Sequence, residues 1–442
     1  MNYLVIDVAF FLSFLLFPLI IIGSLTVSKI RLDQVEIVNF SIIALFVFSY
    51  IGLVSLYFGF DDFRYQLGIS DKSLILRLFM FSVIAISCIA LLYGFLSNII
   101  KLRILPAGKY SVRGLVPKEA VILSSLLFIC VAVLVSYISQ LDSIAIIAAV
   151  IDGIGEAKVS RSNMANNFSG NYHWYSLFMH DVAQIISFAL FANHLVGKTK
   201  LSKFLFVISF VFCASSLIMS TQKAPVIWYF IGLYFVYLIV LRGGKIPIKG
   251  SLKLLIILMA FLIGFYIIFM GMDSPLKALM AVFSRTFGGS LGSAYFYLEF
   301  FPEQHDFLFG QSIKNPGGIL PYEPFAITKE IMAWRFPGLH SQNIVGSSPA
   351  VFWGEAYANF SWIGVVVTPL IIGSIIYLVS YLISIVEHSP IQVGSLVWTL
   401  LHYRTIASTG FSSFIIDIPV ICLFFIFSLT LLLSGTLRPQ NA

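Results

Sequence analysis

Charge is what this chain of 442 residues has least of: 11% of it is Asp, Glu, Lys or Arg, against 59% hydrophobic residues. Soluble domains carry about 25% charged residues, so a water-soluble monomer is excluded and the bilayer is the solvent. The apolar runs do not alternate with polar residues, which excludes a transmembrane barrel. Cysteine is scarce as well. Cys88, Cys130, Cys213 and Cys422 fall inside apolar runs without metal-ligand spacing and read as small core residues. There is no His-x3-His, Cys-x2-Cys or Asp-rich loop. No Lys-Ser/Thr pair follows a Gly-x4-Gly spacing, and spacing picks out no Ser-His-Asp set. No metal and no cofactor are therefore expected. The N-terminus lacks a basic n-region, with Asp7 where Lys or Arg would stand, so the first run is read as a retained helix. Internal repeats, low-complexity tracts and a separate soluble domain are all missing.

What is present is a succession of apolar runs near the 20 residues or so that a membrane helix needs. They fall at 4–25, 37–58, 74–96, 120–138, 174–196, 204–220, 225–241, 252–272, 351–377, 393–413 and 415–433. The expected fold is an all-α polytopic helix bundle of about eleven transmembrane helices (between ten and twelve), one membrane domain over residues 1–442. The run at 393–413 is the weakest, because it contains His402 and Arg404, and the ninth run has an alternative start near Trp362. The loops after runs one, three, five and seven are rich in Lys and Arg, and the alternate short loops are poorer. By the positive-inside rule the N-terminus is periplasmic and the C-terminus cytoplasmic. The net charge of +7 then reflects cytoplasmic loops facing anionic lipid rather than nucleic acid. Three segments fall outside: a first loop at 142–173, a tight turn at 220–225 and a large polar loop at 273–350.

Basic residues on the outer face run against that trend. Lys223 lies in the turn Ser220-Thr221-Gln222-Lys223-Ala224-Pro225, either snorkelling to headgroups or fixing a positive charge at the mouth of a cavity. Arg161 lies in the first loop, and Arg285 and Arg335 in the large one. If the stretch from Arg285 is helical, then Arg285, Gly288 or Gly289, Gly292, Tyr295 or Phe296, and Glu299 share a face. Glycines there admit another backbone or a ligand. Glu355, in Pro349 to Gly364, is an ionisable group near the outer end of an apolar helix, where such groups are functional or paired. Desolvation would suit it to general-base work; the alternative is an interfacial carboxylate paired with a loop arginine. His340 is a lone loop histidine, bystander or catalyst. His180 and Asp181 are neighbours in a helix and do not face each other; Asp181 is read as a structural partner of Arg404. Tyr172, Trp174, Trp334, Trp353 and Tyr357 can stack on sugar faces or form an interfacial aromatic belt.

This layout resembles a known family. The spans, the small outer loop mid-chain, the large outer loop before the last spans and the arginines in both are similar to the bacterial O-antigen polymerase (oligosaccharide repeat unit polymerase) family, related to the O-antigen ligase group. Three stretches carry the resemblance: Met219 to Pro225, with Lys223 where Arg is common; Arg285 to Gly310, continuing into Gln311-Ser312; and Ser348 to Gly364, with Trp353-Gly354-Glu355-Ala356-Tyr357-Ala358-Asn359-Phe360. The resemblance implies a metal-independent glycosyltransferase of the bacterial inner membrane. Its donor and acceptor would be undecaprenyl-pyrophosphate-linked oligosaccharides, joined en bloc at the periplasmic face, with a chain-length regulator protein as a further partner. On that reading Arg285, Lys223, Arg161 and Arg335 hold the departing pyrophosphate. Glu355, His340 and Arg285 act in catalysis, and Tyr172, Trp353 and Tyr357 bind glycan. A ligase moving glycan onto lipid A core is the nearest alternative, and a polysaccharide-lipid transporter or flippase the next. The lack of repeats speaks against the last.

Overall fold

The computed structural model describes residues 3–59, 68–99, 112–165, 168, 170–315, 318–319, 321–340, 346–386 and 388–415. Among them helix is the only regular structure, joined by turns, irregular connections and two isolated bridges. Helix is the expected outcome for a backbone in lipid, where each N–H and C=O has to be satisfied within its own segment. Among the described residues nine helices are long and apolar enough to cross a membrane: Leu4–Val27, Ile37–Tyr57, Lys72–Ile99, Pro117–Ile138, Tyr172–Gly197, Lys200–Met219, Lys223–Arg242, Ile248–Ile268 and Phe352–Ser384. They coincide with the first nine apolar runs, and the protein is an all-α, multi-pass membrane bundle. The first and eighth present most of their surface outward, with Leu15 67% and Ile248 84% exposed, as expected of lipid-facing helices.

The tenth run behaves differently. It begins as the helix Pro390–Tyr403, tightens to a 3-10 turn at Arg404–Ala407 and resumes only at Phe411–Ile415. Fourteen residues rise about 21 Å, short of the roughly 30 Å hydrocarbon core. Ser389 caps its start, accepting from Gln392 N at 3.2 Å. The helix is buried along nearly its whole length, packed on Ala183–Gly197 so closely that a Cβ on Gly394 would strike the Ile185 carbonyl. Protein surroundings are what permit a broken helix at membrane depth. The eleventh run, beyond residue 415, lies outside the described residues.

The ninth helix is also interrupted. Phe360 (φ −132°) and Ser361 (φ 54°) leave helical geometry, separating a buried segment at 352–359 from the longer span that starts at Trp362. Gly364 sits under the break, where the Ala356 carbonyl leaves no room for a side chain. The large loop is mostly helix: Pro275–Phe283, a π-helical turn at Ser284–Gly288, Gly289–Phe300, Ile327–Arg335 and Pro337–His340. From Leu291 to Leu298 it is buried on every side, packed on the 352–359 segment where Gly354 meets Ala294. Of the two expectations for the glycine face, another backbone or a ligand, close helix packing is what this stretch shows, at Ala294 against Gly354. At the opposite end of the bundle, Arg113 grips the buried Glu119 through two hydrogen bonds, 2.7 and 2.8 Å. There too, the 33–35 and 244–246 strips join through Val35 N to Gly244 O and Ile246 N to Asp33 O, each 2.8 Å.

Candidate functional site

Three cations singled out in the sequence sit on elements that pack together at the long-loop end. Arg161 lies on the helix Ile154–Met164, and Met164 shares a small apolar cluster with Ala145, Met179 and Met219. Lys223 follows Met219 by one tight turn, made by Thr221 at φ 55°. Its ammonium lies 3.3 Å from the centroid of the Tyr266 ring and 4.9 Å from that of Phe265. Tyr266 in turn packs with Ala278, Ala281 and Val282, on the helix that runs directly into Ser284–Gly288 and Arg285. Arg161 and Arg285 are close enough to repel. The Arg161 guanidinium is held below the usual arginine range, first by partial burial and then by the charge of Arg285. Arg161 nonetheless keeps an exposed surface.

Arg335 is placed apart from this group. It donates to the Gly68 carbonyl at 2.9 Å, lies 4.8 Å over Phe296 and neighbours Glu299. Burial raises the pKa of Glu299, while a hydrogen bond from Tyr295 and the charge of Arg335 pull it back.

Glu355 is 3% exposed, with both carboxylate oxygens engaged. Oε1 accepts from the Ser312 hydroxyl at 2.5 Å and Oε2 from Ser412 N at 3.1 Å. One turn on, Asn359 donates to Ser312 Oγ (2.9 Å) and to the Glu355 carbonyl (2.8 Å), and accepts from Gly310 N (2.9 Å). The carboxylate thus ties the large loop, the 352–359 segment and the Phe411 turn into one knot. In place of the loop arginine of the alternative reading, a hydroxyl and one backbone amide satisfy the carboxylate.

Two of the three expected glycan-binding aromatics are core residues. Trp353 is fully buried against Phe81, and Tyr357, at 6% exposed, packs between Phe81 and Phe307. Neither presents a ring to a sugar. The large apolar surface of each is worth more inside the protein than at a wet boundary. Tyr172 is half-buried beside Tyr137, and its neighbour Trp174 remains 53% exposed. His340 ends a short helix; its side chain lies outside the described part.

A second feature escaped the sequence reading. The described residues include three π-helical turns, Phe46–Ile51, Leu177–Val182 and Ser284–Gly288, of which the first and third touch. Phe48 of the first lies 6.3 Å from Trp228 and 6.1 Å from Phe287 of the third. Asp181 of the second accepts from Trp398 Nε1 at 3.2 Å, and Trp398 stacks on His402 at 4.9 Å. Arg404, expected to pair with Asp181, lies instead 3.8 Å over the Trp228 ring. π-helical turns carry no sequence signature, but they mark functional sites often enough to direct attention here.

Among the described residues no group of three or more His, Cys, Asp or Glu side chains is gathered that can hold a metal ion. Comparison of the chain with protein-family models, with curated proteins and with solved structures yields no match.

Proposed function

We propose that this protein is a bacterial inner-membrane glycosyltransferase. It would polymerise oligosaccharide repeat units carried on undecaprenyl pyrophosphate, with the long-loop end periplasmic, the N-terminus at that face and the C-terminus cytoplasmic. The observation that carries the reading is the proximity of Arg161 and Arg285. The charge of Arg285 reaches the Arg161 guanidinium, which comes from a separate outer segment, and an anion there is drawn to both. A departing diphosphate is such an anion, and arginine holds its oxygens in bidentate fashion. Lys223 adds charge at the boundary. In the reaction the acceptor hydroxyl attacks the anomeric carbon of the donor glycan, the bond from that carbon to the phosphate oxygen breaks, and the hydroxyl proton passes to the departing diphosphate. Fixed cations stabilise the charge that develops on the leaving group. Glu355 serves as the frame that seats the large loop, and a chain-length regulator is a further partner on this reading.

The test is direct. Purified protein in nanodiscs is given lipid-linked repeat units, and the products are separated by size. A ladder of longer glycans supports polymerisation. Movement of the lipid-linked substrate across the bilayer without new glycosidic bonds would overturn the enzyme reading in favour of transport.

A further inference from the structure

Ionisable side chains within a membrane bundle are costly, and they persist where they are paired or used. Arg404 is not paired with an acid: no carboxylate stands within ion-pairing reach of it among the described residues. Its Nε is buried without an acceptor. The group is not sealed in, however, because the residue keeps part of its surface accessible. Its guanidinium plane is fixed over Trp228 at 3.8 Å, which positions the remaining donors without consuming them. The backbone that carries it is a 3-10 turn at the end of a helix that stops short of crossing. Ser290 anchors that turn, donating to the Ala407 carbonyl at 3.2 Å. A line of ring contacts, Trp228 to Phe48 to Phe287, leads from Arg404 to within two residues of Arg285.

We propose that Arg404, seated on Trp228 beside the contact between the Phe46–Ile51 and Ser284–Gly288 turns, is an anion site inside the bundle that takes a phosphate-class oxyanion. Polyprenyl diphosphate, a phospholipid headgroup and free pyrophosphate share that chemistry. The assignment of the occupant to the lipid-linked substrate rests on the glycan-transfer reading above; the site itself does not. A guanidinium held planar with unused N–H donors matches two phosphate oxygens at once. The adjoining Trp228 ring lowers the local dielectric and strengthens the contact. His402, stacked between Trp398 and Phe414 with Nε2 buried and unpartnered, lies two residues earlier, at the end of the helix before the break.

The experiment uses the full chain in nanodiscs of phosphatidylcholine, with binding of inorganic pyrophosphate and of farnesyl diphosphate measured by calorimetry. Arg404→Gln should weaken both by about tenfold or more, the loss expected for a charge-assisted contact of some 1.4 kcal/mol or above, and Arg404→Lys should weaken them less. A second readout keeps the result clear of folding defects. An acid-free buried charge held for a ligand is a burden on the empty protein, so Arg404→Met should raise the unfolding temperature without ligand. Unchanged affinities in Arg404→Gln, or a lower unfolding temperature in Arg404→Met, would overturn the proposal. Stronger binding of farnesyl diphosphate than of pyrophosphate assigns the occupant to a prenyl lipid. Pyrophosphate weakened by replacing phosphatidylcholine with phosphatidylglycerol, in the parent but not in Arg404→Gln, assigns it to a headgroup. Arg404-dependent binding with no glycan ladder keeps the site and removes the transfer reading. A ladder whose yield and diphosphate affinity ignore Arg404 does the reverse.

Discussion

The Glu355 carboxylate takes a hydrogen bond from the Ser312 hydroxyl across 43 residues of sequence, at 2.5 Å. The same carboxylate holds Ser412 N and crowds Gly410 so tightly that a Cβ there would collide with Oε2. This geometry separates two roles for Glu355. As a frame, its loss should cost stability: Glu355→Ala removes about 3 kcal/mol, since buried donors lose a charged acceptor, and Gly410→Ala destabilises through the same contact. Glu355→Gln keeps one carbonyl acceptor and should retain transfer activity within about tenfold. A general base would instead lose roughly 10²–10⁴-fold on that change. Thermal unfolding and product yield, measured on the same three variants, decide between them.

The pairing of Arg161 with Arg285 leads to a prediction of coupling. Each single change to Ala should lower transfer by about 10²–10³-fold, the loss typical of one fixed donor at a developing charge, while insertion into the membrane is unchanged. The double variant should fall well short of the product of the two, because the groups act on one anion. Fully multiplicative losses in a product-ladder assay would place the two arginines in separate sites.

Much of the fold was legible in the sequence because a lipid solvent leaves so few choices. The first nine apolar runs are nine long helices among the described residues, and even the second start near Trp362 corresponds to a real break, at Phe360 and Ser361. The candidate site was legible only in part. Arg161, Lys223 and Arg285 stood out by running against the charge bias; their elements belong to two small apolar clusters bridged by Lys223 over Tyr266. Trp353 and Tyr357 were misplaced because an aromatic at a helix end looks the same in sequence whether it faces water or Phe81. Arg404 gave one hint, a charge inside an apolar run. Its meaning depended on Trp228, 176 positions earlier, and on π-helical turns that no spacing rule announces.

Glu36 offers a test by pH at the opposite end of the bundle. Burial, reinforced by the nearby charge of Asp33, raises its pKa from 4.5 to about 7. The fold therefore prefers the neutral acid. The stabilising contribution is complete below the unfolded value near 4.5 and is lost as pH rises through about 7. At pH 8 the ionised carboxylate should cost roughly 3 kcal/mol relative to pH 4.5. Glu36→Gln should flatten that dependence and unfold at a higher temperature than the parent at pH 8. Parallel melting curves for the two proteins between pH 5 and 8.5 would show the prediction to be wrong.

Lys223 is already engaged with a ring, and that fixes what its loss should do. The ammonium over Tyr266 gains about 0.5–2 kcal/mol from the ring quadrupole and still projects its charge towards the boundary. Lys223→Met keeps the apolar stem on Tyr266 and removes only the charge, so stability should fall by less than about 2 kcal/mol. Transfer should fall by about tenfold, less than for Arg285→Ala, because a single-point cation lacks the bidentate grip of arginine. Lys223→Arg should restore or exceed parental activity. Tyr266→Leu, which removes the ring but leaves the charge, should lower the unfolding temperature more than it lowers transfer. The reverse ranking in that variant, with activity lost and stability intact, would mean that the ring itself meets the substrate and that Lys223 serves only to hold it in place.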